Sequence, residues 1–258
     1  MDIVSLEKKI KLEKEYKKLK NSLRHSYKKY YFDEESKQFL KKINENIEKS
    51  TPFERPDMYI ILDNEILAIE HFEFDSSNVN KKGSHLKNEI AKIERELDKE
   101  RQETNKKYLT KKCVFNGNKE NYEKNFLKNF DNHYDKIEEY KNNITKNIPN
   151  IDLPIHMCFY IIDETEMGNI VLNDKNRKNY IPFMNKTILE RIERATKLDY
   201  IIFQNKEDYY LTNLYFFKNN EQGLKFCKSE YNEYFEKEIE AVNFTRIHSI
   251  YSLNNENN

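Results

Sequence analysis

The stretch ERPDMYIILDNEILAIEHFEFDSS, Glu54 to Ser77, carries Asp57, Glu70, His71, Glu73 and Asp75 among residues that otherwise read as two buried strands. A buried strand holds few charges, because a carboxylate withdrawn from water needs a partner or a cation. Two explanations fit these residue types: a metal-dependent catalytic site, or a sheet edge open to solvent.

Strand parity decides which carboxylates can act together. The two apolar runs meet at Asp63-Asn64 or Asn64-Glu65, a hairpin signal. With the first turn Asp57 falls directly opposite Glu70, and with the second it lies one step diagonal. Either way both project from one face, and directly opposed Cβ atoms lie about 5 Å apart. Tyr59, Ile61, Ala68 and Phe72 share that face, so the two charges repel in poorly solvated surroundings unless protonated, paired or bound to a cation. A divalent ion resolves the conflict. Mg2+ suits an oxygen-rich site with few protein ligands, and phosphate oxygens are natural remaining partners.

Leu67, Ile69, His71, Glu73 and Asp75 face the other way. His71 can accept a proton or orient a water at neutral pH, or it can be a hydrogen-bonded structural histidine. Glu73 and Asp75 fit the point where a strand emerges into solvent.

Pro56-Asp57, twelve intervening residues and then Glu70-His71-Phe72 resemble the degenerate signature of the PD-(D/E)XK nuclease superfamily. Carried over residue by residue, Asp57 matches the first acid and Glu70 the second, while Phe72 stands where that family has lysine. Lys81 or Lys82 in SSNVNKKGS is the nearest replacement. In a second alignment Glu70 is the first acid and Asp163 or Glu164 the second, with Thr165 at the lysine position. The resemblance implies an α/β fold with a restriction-endonuclease-like mixed central sheet flanked by helices. It also implies Mg2+ or Mn2+ held by Asp57, Glu70 and Asp163, with Lys82 or His71 positioning the nucleophile or offsetting charge. The activity it implies is hydrolysis of phosphodiester bonds in DNA or RNA, in defence against or processing of foreign nucleic acid.

The elements that must position these residues follow from apolar spacing. Ile3, Leu6, Ile10, Tyr16, Leu19, Leu23, Tyr27 and Tyr30 recur at helical intervals, so residues 1–32 read as an N-terminal amphipathic arm suited to self-association or a protein partner through residues 3–30. Asp33 is placed to cap a helix whose stripe is Phe39, Leu40, Ile43 and Ile47, opening the first part of the α/β core, 33–83. Both faces of the following hairpin are apolar, which calls for helices on both sides of the sheet. The pattern through Leu86, Ile90, Ile93, Leu97, Tyr122, Phe126, Phe130, Tyr134 and Ile137 predicts a helical insertion over 84–147. The core resumes over 148–218 with PIHMCFYIID, a short strand at IVL, a helix in NKTILERIERATK and a hairpin turning near Asn205-Lys206. Residues 219–258 read as a C-terminal helix around KSEYNEYFEKEIEAV and a frayed tail.

Length and composition bound the rest. The 258 residues can bury a sizeable core, with 18 tyrosines and 16 phenylalanines as its bulk. Lysine plus arginine equals aspartate plus glutamate at 45 each, so no global field announces a polyanion, although local clusters still can. Cys113, Cys158 and Cys227 stand singly, which argues against a disulfide scaffold or structural zinc and fits a reducing, cytoplasmic setting. No run approaches eighteen apolar residues, the opening segment is not a signal peptide, and the expectation is no membrane. Lysine-rich segments interleaved with tyrosines suit nucleic-acid backbones and unpaired bases. Two other classes fit the same residues: a protein-binding inhibitor or immunity component, and a catalytically inactive nucleic-acid-binding protein.

Overall fold

The computed structural model describes residues 17–76, 85–104, 108–148, 152–165, 170–172, 176–178, 185–206, 212–221, 223–224 and 243–253. The chain is α/β, built on an open mixed sheet of seven strands whose spatial order by residue number is 28–31, 212–218, 200–206, 155–163, 66–74, 58–61 and 51–52. In chain order, residues 17–25 are helical (α1), followed by β1 (Lys28–Tyr31), α2 (Glu34–Asn46), β2 (Thr51–Pro52), β3 (Met58–Ile61) and β4 (Ile66–Phe74). Then come α3 (His85–Glu103), β5 (Tyr108–Asn118), α4 (Lys119–Tyr134), α5 (Ile137–Asn147) and β6 (Ile155–Asp163). After β7 (Ile170–Leu172) and β8 (Asn176–Lys178) the chain forms α6 (Lys186–Glu193), β9 (Tyr200–Lys206), β10 (Thr212–Lys218) and β11 (Asn243–Leu253).

The central strands β4, β6 and β9 run parallel, and β3 and β10 close the group antiparallel on either side. Parallel neighbours need covered faces, and β4 shows how the sequence supplies both covers. Its Ile66, Ala68, Phe72 and Phe74 pack with Tyr122, Phe126 and Phe130 of α4, Ile137 and Tyr140 of α5, and Ile188 of α6. Its Leu67 and Ile69 pack with Leu19 and Leu23 of α1 and Phe39 and Ile43 of α2. The expected two-sided burial therefore takes the form of a three-layer arrangement. No helix among the described residues is long and apolar enough to cross a membrane.

Local signals place the helices. The Asp33 carboxylate accepts a hydrogen bond from the Ser36 N–H at 2.6 Å, and Glu34 and Glu35 occupy the first turn of α2, where the helix dipole favours negative charge. Asn185 does the same for α6, accepting from the Ile188 N–H at 3.1 Å. The β3–β4 hairpin turns at Asp63-Asn64, with the Leu62 N–H donating to the Glu65 carbonyl at 2.9 Å.

Four expectations are revised. The arm pattern, helical at 17–25, does not continue as helix to Tyr30: Lys28–Tyr31 is a strand, paired parallel to β10, with Tyr30 stacked on Tyr215 at 4.8 Å. An aromatic residue in a lysine-rich run has enough strand propensity for a ready-made sheet edge to override the helical spacing. The insertion is not wholly helical, because Tyr108–Asn118 pairs antiparallel with Asn243–Leu253. That partner lies more than a hundred residues later, in what reads locally as a tail. The β9 strand runs through Asn205-Lys206, and its register of Thr212 opposite Lys206 moves the turn beyond that point. Asp75 is not solvent-facing, being only 6% exposed with its carbonyl accepting from the Asn125 amide, and Glu73 is ion-paired to Lys18. The helix read around Lys228 to Val242, residues before Lys17, and Lys81, Lys82 and Ser84 lie outside the described residues.

Candidate functional site

The β3–β4 register is set by the Asp63-Asn64 turn, and Met58 pairs with Ile69. One step further, Asp57 stands opposite Glu70. Asp57 follows the cis Arg55–Pro56 peptide, and its Oδ2 accepts the His71 backbone N–H at 2.7 Å. This carboxylate thus extends the hairpin ladder where the strand itself has ended.

Glu70 is 6% exposed and points toward α4 and α5. Its Oε1 accepts the Tyr140 hydroxyl at 2.9 Å and lies 2.9 Å from Nδ1 of His133, which is 3.2 Å from the same hydroxyl. A carboxylate oxygen that already accepts the Tyr140 hydroxyl is matched by a second donor, so in this pairing Nδ1 of His133 carries the hydrogen. Burial, then the Glu70 charge and its hydrogen bond, push the Tyr140 hydroxyl well above the ordinary tyrosine range, which keeps it a donor. The second oxygen, Oε2, is buried and makes no hydrogen bond among the described residues. A buried carboxylate oxygen without a donor is unfavourable, and a cation or a donor brought by a substrate relieves it.

Phe72, at the lysine position of the motif, carries the imidazole of His133 on its face, with centroids 4.9 Å apart and planes 11° apart. The sequence reading missed His133 and Tyr140 as site residues. A signal existed: His133 sits three residues after Phe130 and one turn before Ile137, on the buried stripe of Tyr122, Phe126, Phe130 and Tyr140. A titratable ring on a stripe of that kind must meet something on the sheet.

The remaining candidates fall elsewhere. The His71 side chain points to the opposite face, with Nε2 3.6 Å from Glu73 Oε1 and its ring 5.3 Å from that of Tyr160. Lys18 of α1 pairs with Glu73 and reaches Glu164 at 3.6 Å. Only the backbone of His71 joins the Asp57–Glu70 group.

Asp163 shares the Glu70 face but not its neighbourhood. In the parallel β4–β6 register Glu70 lies beside Phe159, and Asp163 is four residues further on, about 13 Å along the strand. A single cation with ligands at about 2 Å cannot touch both. Asp163 is fully buried and accepts the Tyr122 hydroxyl at 2.9 Å and the Thr165 N–H at 2.8 Å. Burial pushes its carboxyl up to about 6, against the lowering by Thr165 and Tyr122. The expected three-acid set thus divides into an Asp57–Glu70 pair and a separate buried acid. Among the described residues no group of three or more His, Cys, Asp or Glu side chains converges on one point as metal ligands.

At the opposite end of the parallel strands, Asp199 joins His156 at 3.0 Å and accepts the Met157 N–H at 2.8 Å, with Glu65 3.6 Å from the other imidazole nitrogen. These contacts tie the starts of β4, β6 and β9 together. Comparison with family models finds no match to this chain, and comparisons with curated proteins and with solved structures find none either.

Proposed function

We propose that the chain hydrolyses phosphodiester bonds in DNA or RNA, with Asp57, Glu70 and His133 as its reaction centre on a restriction-endonuclease-like variant of the α/β sheet. The observation that carries this reading is Glu70: one oxygen orients His133, and the other is buried with no hydrogen bond among the described residues.

His133 Nε2 is the base. Glu70 holds Nδ1–H, which fixes the tautomer and stabilises the imidazolium formed when Nε2 takes a proton from water. Tyr140 donates to the same carboxylate oxygen and keeps it from rotating away, and Phe72 holds the ring plane. Glu70 Oε2 and the Asp57 carboxylate suit Mg2+ or Mn2+, all-oxygen ligands on one face. Such an ion supplies Lewis-acid polarisation of the phosphate and offsets the charge that lysine offsets in the resembled family. Asp163 takes no part in that pair.

The test is incubation of the full chain with single- and double-stranded DNA and RNA, with Mg2+ or Mn2+ and then with chelator. The expected result is metal-dependent cleavage that Glu70→Ala abolishes and His133→Gln lowers by about 100-fold or more in folded protein. Absence of cleavage on all four substrates, or cleavage that survives both substitutions, overturns the reading. Thermal melting gives a second readout: Mg2+ raises the melting temperature of the native chain and not of Glu70→Gln.

A further inference from the structure

We infer that α1 and the sheet edge β1 form a docking surface for single-stranded polynucleotide. The inference deepens the nuclease reading by naming the substrate class and rests on that reading only for cleavage, since its observations lie elsewhere in the molecule.

The chain is neutral overall, yet residues 17–32, KKLKNSLRHSYKKYYF, contain six lysines or arginines and no acid. Acidic partners reach part of this run: Arg24 and Lys20 meet Glu48, and Lys18 meets Glu73. Lys28 and Lys29 have no carboxylate partner among the described residues, Lys29 reaching only the Asn44 amide oxygen at 3.5 Å. Two ammonium groups therefore flank the edge strand, one on each face.

Aromatic rings accompany these charges. Three large apolar side chains are exposed among the described residues, and two of them are Tyr27 (56%), just before β1, and Tyr31 (47%), its last residue. The Lys28 ammonium lies 5.0 Å from the centroid of Tyr27, and the Lys37 ammonium of α2 lies 5.9 Å from that of Tyr31. Lysines alone on an edge strand are explained as protection against edge-to-edge pairing. Exposed tyrosines are not, because they add apolar area to the strand that needs guarding.

An occupant must therefore offer negative charge and flat apolar faces together, at intervals along an extended chain. Single-stranded nucleic acid does: its bases stack on exposed rings whatever the sequence, and its phosphates meet the ammonium groups beside them. Duplex nucleic acid keeps its base faces stacked inside and offers only the phosphates. The edge geometry suits a strand, since the four steps from Tyr27 to Tyr31 span about 13 Å. The Asp57–Glu70 pair lies four strand spacings away, about 19 Å across the sheet. A bound strand there is anchored apart from the reaction centre.

The experiment is fluorescence anisotropy with a labelled single-stranded oligonucleotide, as DNA and as RNA, and with the matching duplex. It uses the full chain carrying Glu70→Gln and chelator, so that cleavage plays no part. The expected result is tighter binding of single strands than of duplex. Tyr27→Ala and Tyr31→Ala each weaken single-strand binding by about 5- to 100-fold. Lys28→Gln with Lys29→Gln reduces the slope of log affinity against log salt by about 1.4. The same substitutions at Tyr27 and Tyr31, made as Phe, retain binding because the stacking face is kept. No binding of single strands, equal binding of duplex, or an Ala variant with native affinity overturns the inference. So does a change of oligomeric state in the Ala variants without any nucleic-acid binding, which assigns the edge to a protein partner. Cleavage without effect of Tyr27 or Tyr31 keeps the reaction centre and removes this surface; binding without cleavage does the reverse.

Discussion

The imidazole of His133 lies flat on the ring of Phe72, 4.9 Å between centroids, with its Nδ1 2.9 Å from the carboxylate of Glu70 two residues before that phenylalanine. Phe72 is thus the platform on which α4 sets an imidazole against the sheet.

If Phe72 positions His133, shortening it disturbs the base as well as the core. Phe72→Ala is expected to destabilise the protein by about 3–5 kcal/mol, the usual loss for a buried phenylalanine, while Phe72→Leu loses less. Urea unfolding measures the first effect. At temperatures where both variants are folded, cleavage by Phe72→Leu should fall more than its stability does.

His133→Gln separates base from packing. The glutamine amide can still donate toward Glu70, so melting changes little, while loss of a positioned base lowers cleavage by about 100- to 10,000-fold. Thermal melting and single-turnover cleavage on the same preparation check the pair of outcomes.

Tyr140→Phe removes a donor from a nearly fully buried carboxylate. The expected loss is about 1–3 kcal/mol, because the charge on Glu70 keeps only His133 as a partner for Oε1. A double-mutant cycle with Glu70→Gln should give a coupling energy clearly different from zero. Additive losses would mean that the hydroxyl and the carboxylate act independently.

Asp163 makes stability depend on pH in a direction opposite to that of a salt-bridged carboxylate. Its folded value of about 6 lies above its ordinary 3.8, so between those values the folded chain holds a proton that the unfolded chain has lost. Stability is then full below the lower value and declines as pH rises through the upper one, by about 3 kcal/mol in all. Asp163→Asn should flatten the profile measured by urea unfolding between about pH 4 and pH 7. Tyr122→Phe should steepen it, because the hydroxyl favours the ionised carboxylate.

The Asp33 cap is the simplest check of a local signal. Asp33→Ala leaves the Ser36 N–H without its side-chain partner and is expected to lower stability by about 1 kcal/mol, with no change in cleavage.

The sequence by itself determined the hairpin and its charges. Period-two alternation puts Asp57 and Glu70 on one face under either candidate turn, so they were legible as a pair before any fold was known, and the structure chose Asp63-Asn64. Asp33 and the apolar stripe of α2 were legible for the same reason, since a cap and a helical period act over a few residues. Only tertiary structure decided what meets these groups. Nothing near Glu70 in the chain points to His133 or Tyr140, which arrive 63 and 70 positions later on helices packed across the sheet. Asp163 could stand as a second acid in sequence terms, yet distance along the strand separates it from Glu70, and a linear motif carries no such distance. The strands β1, β5 and β11 were illegible because each gains its hydrogen bonds from a partner far along the chain. In residues 28–31 the sheet edge offered by β10 outweighed a helical spacing that the local sequence still carries.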